Sequence, residues 1–322
     1  MQRRNVLAGL CSAAVGLAAP RTWAQAYPTR PVRILVGYAA GGVNDLLARL
    51  VGQFLSERFG QTFVVENRPG AGSNIATEAT VRAPADGYTL LLVSAANAIN
   101  ASLYERLPFD FLRDIVPVAG ICRVPNAMLV NANFRDRTLA ELIADAKANP
   151  GRITMASPGN GSPQHLAGEL FKMRAGVDLV HIPYRGGAPA LGDLLSGQVD
   201  LLFASVASAL PSLKANKLRA LGVTFAARLD ALPEVPAISE ILPGYEASGW
   251  YGLGAPRGTP GEVVQRLNEG VNAALADASI KARLTEFGGL PRPGSASDFG
   301  RFLAAETATL GQAVKFSGAK AD

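Results

Sequence analysis

The strongest constraint on the fold is a strand, a glycine turn and an amphipathic helix in immediate succession between Val32 and Phe59. Val32-Arg33-Ile34-Leu35-Val36 is a short apolar run of strand character, and Ala39-Ala40-Gly41-Gly42 turns the chain. Leu46, Leu47, Leu50, Val51, Phe54, Leu55 and Phe59 then recur at helical spacing. A unit of this kind belongs in an open α/β sheet, where ligands bind beyond the carboxyl ends of the strands and a helix N-terminus offers unpaired N–H groups to an anion. Asn44 or Asp45 is expected to cap the helix.

The same plan recurs along the chain. Thr62–Glu66 reads as a strand and leads into the glycine-rich Asn67–Asn74 loop and a helix from about Asn74 to Arg82; Tyr88–Val93 reads as a third strand ending at Ser94-Ala95-Ala96-Asn97. Gly70-x-Gly72 lacks the third glycine of a dinucleotide fingerprint, because Ile75 stands there. Ile115–Ile121 reads as a strand whose Pro117 calls for an edge or crossing position. A second α/β region begins around Arg123-Val124-Pro125: a strand at Ala127–Val130, a helix at Leu139–Ala148, and a strand at Arg152–Ala156. That strand runs into Ser157-Pro158-Gly159-Asn160-Gly161-Ser162-Pro163-Gln164-His165, the counterpart of the opening loop. Strands follow at Leu179–Ile182, Asp200–Phe203 and Leu218–Val223, then the proline-rich linker 230–244. Trp250–Leu253 is expected to return as a strand to the first region, and three helices finish the chain.

Charge argues against nucleic acid. The 31 basic residues include Arg3, Arg4 and Arg21 in an N-terminal leader, and removing those three leaves 28 against 26 acidic residues, with no basic cluster. Residues 1–26 read as a signal peptide: Arg3-Arg4, an apolar stretch from Val6 to Ala19, and small residues for cleavage near Ala24 or Ala26. The exported chain keeps one cysteine, Cys122, so no internal disulfide is expected. The two histidines, His165 and His181, lack metal-ligand spacing, and no cofactor is expected. A Ser162/His165 hydrolytic pair is conceivable only with an acid from elsewhere. What the chain offers instead is a set of neutral donor loops at 38–45, 94–97, 157–165 and 184–187, with Arg185 as a cation, suited to holding an anion without reacting with it.

Tyr38–Asp45, Val65–Gly72, Pro84–Leu91 and His181–Gly186, with Gly254–Pro260 near the end, together resemble the Bug family of tripartite tricarboxylate transporter substrate-binding proteins over nearly all of the exported chain. The resemblance implies a type II periplasmic-binding-protein fold, two α/β lobes with a ligand cleft between them, here 27–123 plus 225–322 and 124–224. It also implies a monomeric, non-catalytic periplasmic protein that takes a small organic acid, partly through ordered waters, and delivers it to a membrane permease. A ligand sensor feeding a signalling receptor is the alternative, and an exported hydrolase a distant one. Carried over by position, the ligand-binding set is Tyr38, Ala40, Gly42, Val43, Asn44, Asp45; Ser94, Ala95, Asn97; Ser157, Gly159, Gly161, Ser162, His165; and Tyr184, Arg185 and Ser205. Backbone N–H groups near Gly42 to Asn44, with Ser157, Gly161 and Ser162, are expected to bracket a carboxylate. Where many relatives carry aspartate and asparagine, this chain has Ala204-Ser205, which predicts an acid without an α-amino group. Hinges are expected near Arg123–Pro125, Thr224-Phe225 and Gly249-Trp250.

Overall fold

A computed structural model describes residues 27–184, 186–286 and 288–321. The leader and Arg185 lie outside the described residues. Ten strands form two sheets that share one member: β1 (Val32–Val36), β2 (Phe63–Asn67), β3 (Thr89–Ser94), β4 (Ile115–Asn131), β5 (Thr154–Ser157), β6 (Val180–Pro183), β7 (Leu201–Ser205), β8 (Leu218–Val223), β9 (Ser248–Pro256) and β10 (Leu290–Pro291). The first sheet runs β2-β1-β3-β9-β4-β10, the second β6-β5-β7-β4-β8. Strands joined through helices (β1, β2 and β3; β5 and β6) pair in parallel, and β9 enters antiparallel between β3 and β4.

The shared strand differs from the sequence expectation. Ile115–Ile121 and Ala127–Val130 were expected as separate strands, whereas β4 is continuous over 17 residues. Its first part, to Pro125, pairs with β9, and from Asn126 onward it pairs with β7 and β8. Pro117 sits at a register shift against β9, which absorbs its missing N–H. At the change of sheets Asn126 N–H donates to Thr224 Oγ1 at 3.1 Å and Thr224 N–H to the Asn126 carbonyl at 2.9 Å.

Ala95–Leu103 is a helix where the sequence reading stopped at a strand end. Its N-terminus is fixed by Asn97 Oδ1, which accepts from Ser94 N–H at 2.8 Å. Segment 230–244 wraps the second lobe and leads to Tyr245, whose buried hydroxyl donates to the Ala167 carbonyl at 2.9 Å.

Each sheet buries both faces. One face of the first packs Val32, Ile34, Val118 and Leu253 against the helices Val43–Phe59 and Gly261–Ala276, and one face of the second packs Leu129 and Leu202 against Gly187–Ser196 and Val206–Lys214. The remaining faces merge into one core in which the last helix, Ala296–Ser317, lies against both Ala95–Leu103 and Pro163–Ala175. Trp250, fully buried on β9, packs there edge-on to Phe299 and Phe302 and donates from Nε1 to Glu306 at 2.9 Å. The neighbouring Gly252 leaves no room for a side chain, since a Cβ would stand 2.2 Å from Phe299 and 2.6 Å from the Ala119 carbonyl. Gly252→Ala is therefore expected to cost about 1–3 kcal/mol through overpacking, read as a lower urea midpoint; an unchanged midpoint would show that Phe299 repacks freely.

Candidate functional site

The cleft between the lobes holds a cavity of about 340 Å³. Tyr38, Gly72, Ala96, Asn100, Leu103 and Tyr104 wall it on the first-lobe side, the loop Pro158–Pro163 on the second, and Lys320 with Ala321 stand at its mouth. The lobes meet closely here: a Cβ on Gly161 would lie 2.6 Å from Leu103 Cδ2.

The first-lobe loop is built from inside. Gly41 adopts φ +86°, open to glycine at little cost, and its N–H donates to Asp45 Oδ2 at 2.9 Å. Asp45 is buried and also receives Arg49 at 3.0 Å and Asn67 at 3.0 Å. Burial alone would raise its pKa, but the bonds from Arg49, Gly41 and Asn67 outweigh it and hold the carboxyl below its ordinary range. Gly42, rather than Asn44 or Asp45, is the N-cap of Val43–Phe59, and no side chain caps it. The first-turn N–H groups, at Val43, Asn44 and Asp45, are therefore left for water or a ligand. Ala40, Gly42 and Val43 are exposed and Asn44 is half-buried; none of the four lines the cavity, nor does Asp45. Tyr38 does line it; burial, with Tyr104 nearby, raises its hydroxyl pKa despite a hydrogen bond with Ser94.

Behind Tyr38, Ser94, Ala95 and Asn97 are buried, and Asn97 spends its amide inside the fold, donating to Thr77 Oγ1 at 2.9 Å. The wall they were expected to form is supplied one turn further on by Asn100. Its amide donates to the Gly72 carbonyl at 2.7 Å and to Asn74 Oδ1 at 2.9 Å. Gly72 belongs to the glycine-rich loop that the missing third glycine had set aside, and Ala71, Gly72 and Ser73 are successively left-handed, at φ 45°, 60° and 81°. Two non-glycine residues in that region mark a backbone held under strain, which the sequence does not disclose.

The second-lobe loop rests on a polar stack. Ser157 is wholly buried; its Oγ lies 2.7 Å from His181 Nε2 and accepts from Gly159 N–H at 3.1 Å. His165 stacks on His181 with centroids 3.8 Å apart, and its Nδ1 accepts from Gly161 N–H at 3.1 Å. That bond occupies the Gly161 N–H, so the expectation that it serves a carboxylate is corrected. His165 Nε2 faces Glu169 Oε1 at 3.6 Å, and Lys172 joins the same oxygen at 3.2 Å. Burial works against the Glu169 carboxylate, yet His165 and Lys172 keep its pKa below the ordinary value. Ser162 Oγ caps Pro163–Ala175 by accepting from His165 N–H at 3.2 Å. The imidazole of His165 is thus turned to Gly161 and Glu169, and Ser162 and His165 do not form a nucleophile–base pair. Ser157 does meet a histidine, but it is buried without an open approach.

Tyr184 hydrogen-bonds Asp193 at 2.6 Å, which pushes its pKa up to about 12, and Ser205 caps Val206–Lys214 through Ser208 N–H at 3.3 Å. Neither lines the cavity, whereas Gly159, Gly161 and Ser162 do.

Desolvation, then the neighbouring His165, lower the His181 pKa to about 4. Because the unfolded side chain titrates at 6.5, the unfolded state binds more protons between these values. The neutral ring's contribution is complete above pH 6.5 and is lost as pH falls toward 4. Unfolding free energy should drop between pH 7 and pH 4 on this account, by less than the full shift because the half-buried ring is partly screened by solvent. His181→Gln should flatten that slope in urea titrations; an identical slope would place the titration elsewhere.

Against known proteins, the family profile described as "Tripartite tricarboxylate transporter family receptor" matches residues 47–318. Protein BugT of Bordetella pertussis is 36% identical over 323 residues, 99% of each chain. Among solved structures, the adipate-bound protein of R. palustris is 39% identical with a TM-score of 0.77, covering 91% of this chain and 99% of its own. MatC of Rhodopseudomonas palustris, with bound malate, is 31% identical with a TM-score of 0.74, covering 89% of this chain and all of its own.

Proposed function

Since this chain belongs to the tripartite tricarboxylate transporter receptor family, we propose that it captures a small carboxylate between its lobes in the periplasm and delivers it to a membrane permease. The observation that carries this reading is the family match over 47–318 on a chain whose cleft holds a cavity walled from both sides. Ligands of that kind favour the closed state only through contacts made by both lobes together, and that difference in affinity sets the population.

The Ser162 hydroxyl is the donor we assign to the carboxylate, with Tyr38 and Asn100 forming the floor; the open first-turn N–H groups at Val43 and Asn44, which do not line this cavity, join it only as the lobes close further. Asp45, Asn97, Ser157 and His165 act behind these loops, since their polar atoms are bonded within the fold. Lys320 adds positive charge at the mouth. Adipate and malate in the two neighbours favour a dicarboxylate, and Ala204-Ser205 offers no carboxylate to an ammonium group, so the acid lacks an α-amino substituent.

A thermal-shift screen of residues 27–322 against dicarboxylates, tricarboxylates, aromatic acids and amino acids tests this. A ligand specific to the folded state stabilises by about 2.7 kcal/mol at 100 times its Kd. Hits confined to acids without an amino group support the reading; tight binding of aspartate or glutamate overturns the ligand class, and silence across the panel overturns carboxylate capture.

A further inference from the structure

A second cavity, of about 320 Å³, opens beside the crossing of the two sheets and shares no lining residue with the cleft. Its walls are apolar at Phe225, Leu229, Leu290 and Pro291, and charged at Arg123, Arg228, Glu246 and Arg292, of which Arg228 is paired with Glu240 at 2.9 Å. Arg123, on β4, is fully engaged: it donates to Ser248 Oγ at 3.0 and 2.7 Å, pairs with Glu246, and lies 4.6 Å from the centre of the Phe225 ring. Arg292, just past β10, lies 4.0 Å from the centre of the Phe302 ring, which Arg123 also approaches at 5.6 Å. The backbone N–H of Arg292 bonds the Ile121 carbonyl, but among the described residues no carboxylate, carbonyl or hydroxyl accepts from its guanidinium. Asp298 and Glu306 both bear on it through space without a hydrogen bond; Asp298 is engaged by Ser295 and Arg301, and Glu306 by Trp250. Burial and the charge of Arg123 both lower the Arg292 pKa. Glu246 pairs with Arg123 and Glu240 with Arg228, so Arg292 is the one arginine lining the cavity whose guanidinium has no hydrogen-bonded carboxylate among the described residues.

We propose that this cavity is a second binding site, for a small carboxylate with an aromatic or aliphatic body, whose carboxylate seats on the Arg292 guanidinium. The planar fork of arginine matches a carboxylate in two parallel hydrogen bonds, and the half-buried position strengthens them over their worth in water. The body of the ligand lies against Phe225, Leu229, Leu290 and Pro291, where burying apolar surface adds to the affinity. Phe225 and Leu229 follow β8 of the second sheet, whereas Leu290 and Pro291 form β10 of the first, so the occupant touches both sides of the crossing.

The probe is 4-bromobenzoate, titrated calorimetrically into residues 27–322 and located in crystals by the anomalous signal of bromine. Expected are a bromine against Phe225 and Leu290 and binding weakened about tenfold or more in Arg292→Met, which keeps the stem on Phe302 and removes the charge. Arg292→Lys should fall between the two. Gly161→Asn, in the cleft, should leave this affinity unchanged. Bromine only in the cleft, equal affinity in Arg292→Met, no heat of binding at millimolar probe, or occupancy at crystal concentration only would each overturn the site. This site is independent of the function assigned to the cleft: Gly161→Asn impairs the cleft and leaves the Arg292 cavity intact, Arg292→Met does the reverse, and the bromine position tells the two sites apart, so either reading can fail without the other.

Discussion

Replacing Gly161 by asparagine is expected to weaken binding of the cleft ligand by about tenfold to a hundredfold, through a clash that forces the two walls of the cleft apart. Gly161 sits at φ +69°, a region that asparagine tolerates better than other side chains, so backbone strain is kept small. The new side chain points at Leu103 across the cleft, where even a Cβ would come within 2.6 Å of Cδ2. Overpacking by this amount costs about 1–3 kcal/mol in the arrangement seen here, with Gly161 against Leu103, and a state in which the lobes stand further apart escapes it. Leu103→Ala in the same chain should recover most of the lost affinity, because it restores the space. Calorimetry on the two single variants and the double variant measures this; additive losses would show that Gly161 acts by some route other than closure.

Trp250→Ala is expected to lower stability by about 3–5 kcal/mol, the largest loss from any single side chain here. Removing the ring opens a cavity against Phe299 and Phe302, and it also withdraws the N–H that holds Glu306. Burial already raises the Glu306 pKa, so without that donor the carboxylate has still less to keep it ionised. Trp250→Phe, which keeps most of the volume but not the N–H, should lose less. Urea unfolding at pH 7 reads both; a loss below about 1 kcal/mol for the alanine variant would mean that the core collapses around the gap.

These expectations needed the structure, although the architecture did not. Apolar periodicity is local, so Val32–Phe59 and Arg152–Met173 announce strand-loop-helix units wherever they sit. The continuity of β4 is not local: Pro117 and Pro125 interrupt its pattern, and only pairing with β9 and then β7 makes it one strand. Ala95–Leu103 went unread because Asn97, rather than a glutamate, closes its cap. The cleft wall was half legible. Gly159, Gly161 and Ser162 announce themselves as a glycine–serine loop, but Gly72, Asn100 and Leu103 come together only through the packing of two loops distant in sequence. Likewise His165 and His181 lie on a helix and on β6, and nothing in their spacing foretells that the rings stack over Glu169.

The placement of β9 sets an order of assembly. It fills the gap between β3 and β4, yet the whole second sheet is synthesised before it exists. Strands β5 to β8 can therefore gather on the later half of β4 while the first sheet still has two open edges, and loop-closure entropy delays the long-range pairing that completes it. The final helix, which lies on both halves, arrives last of all. A chain built this way stays unfinished until β9 and the helix Ala296–Ser317 have been made, an interval in which two bare strand edges stand open to mispairing.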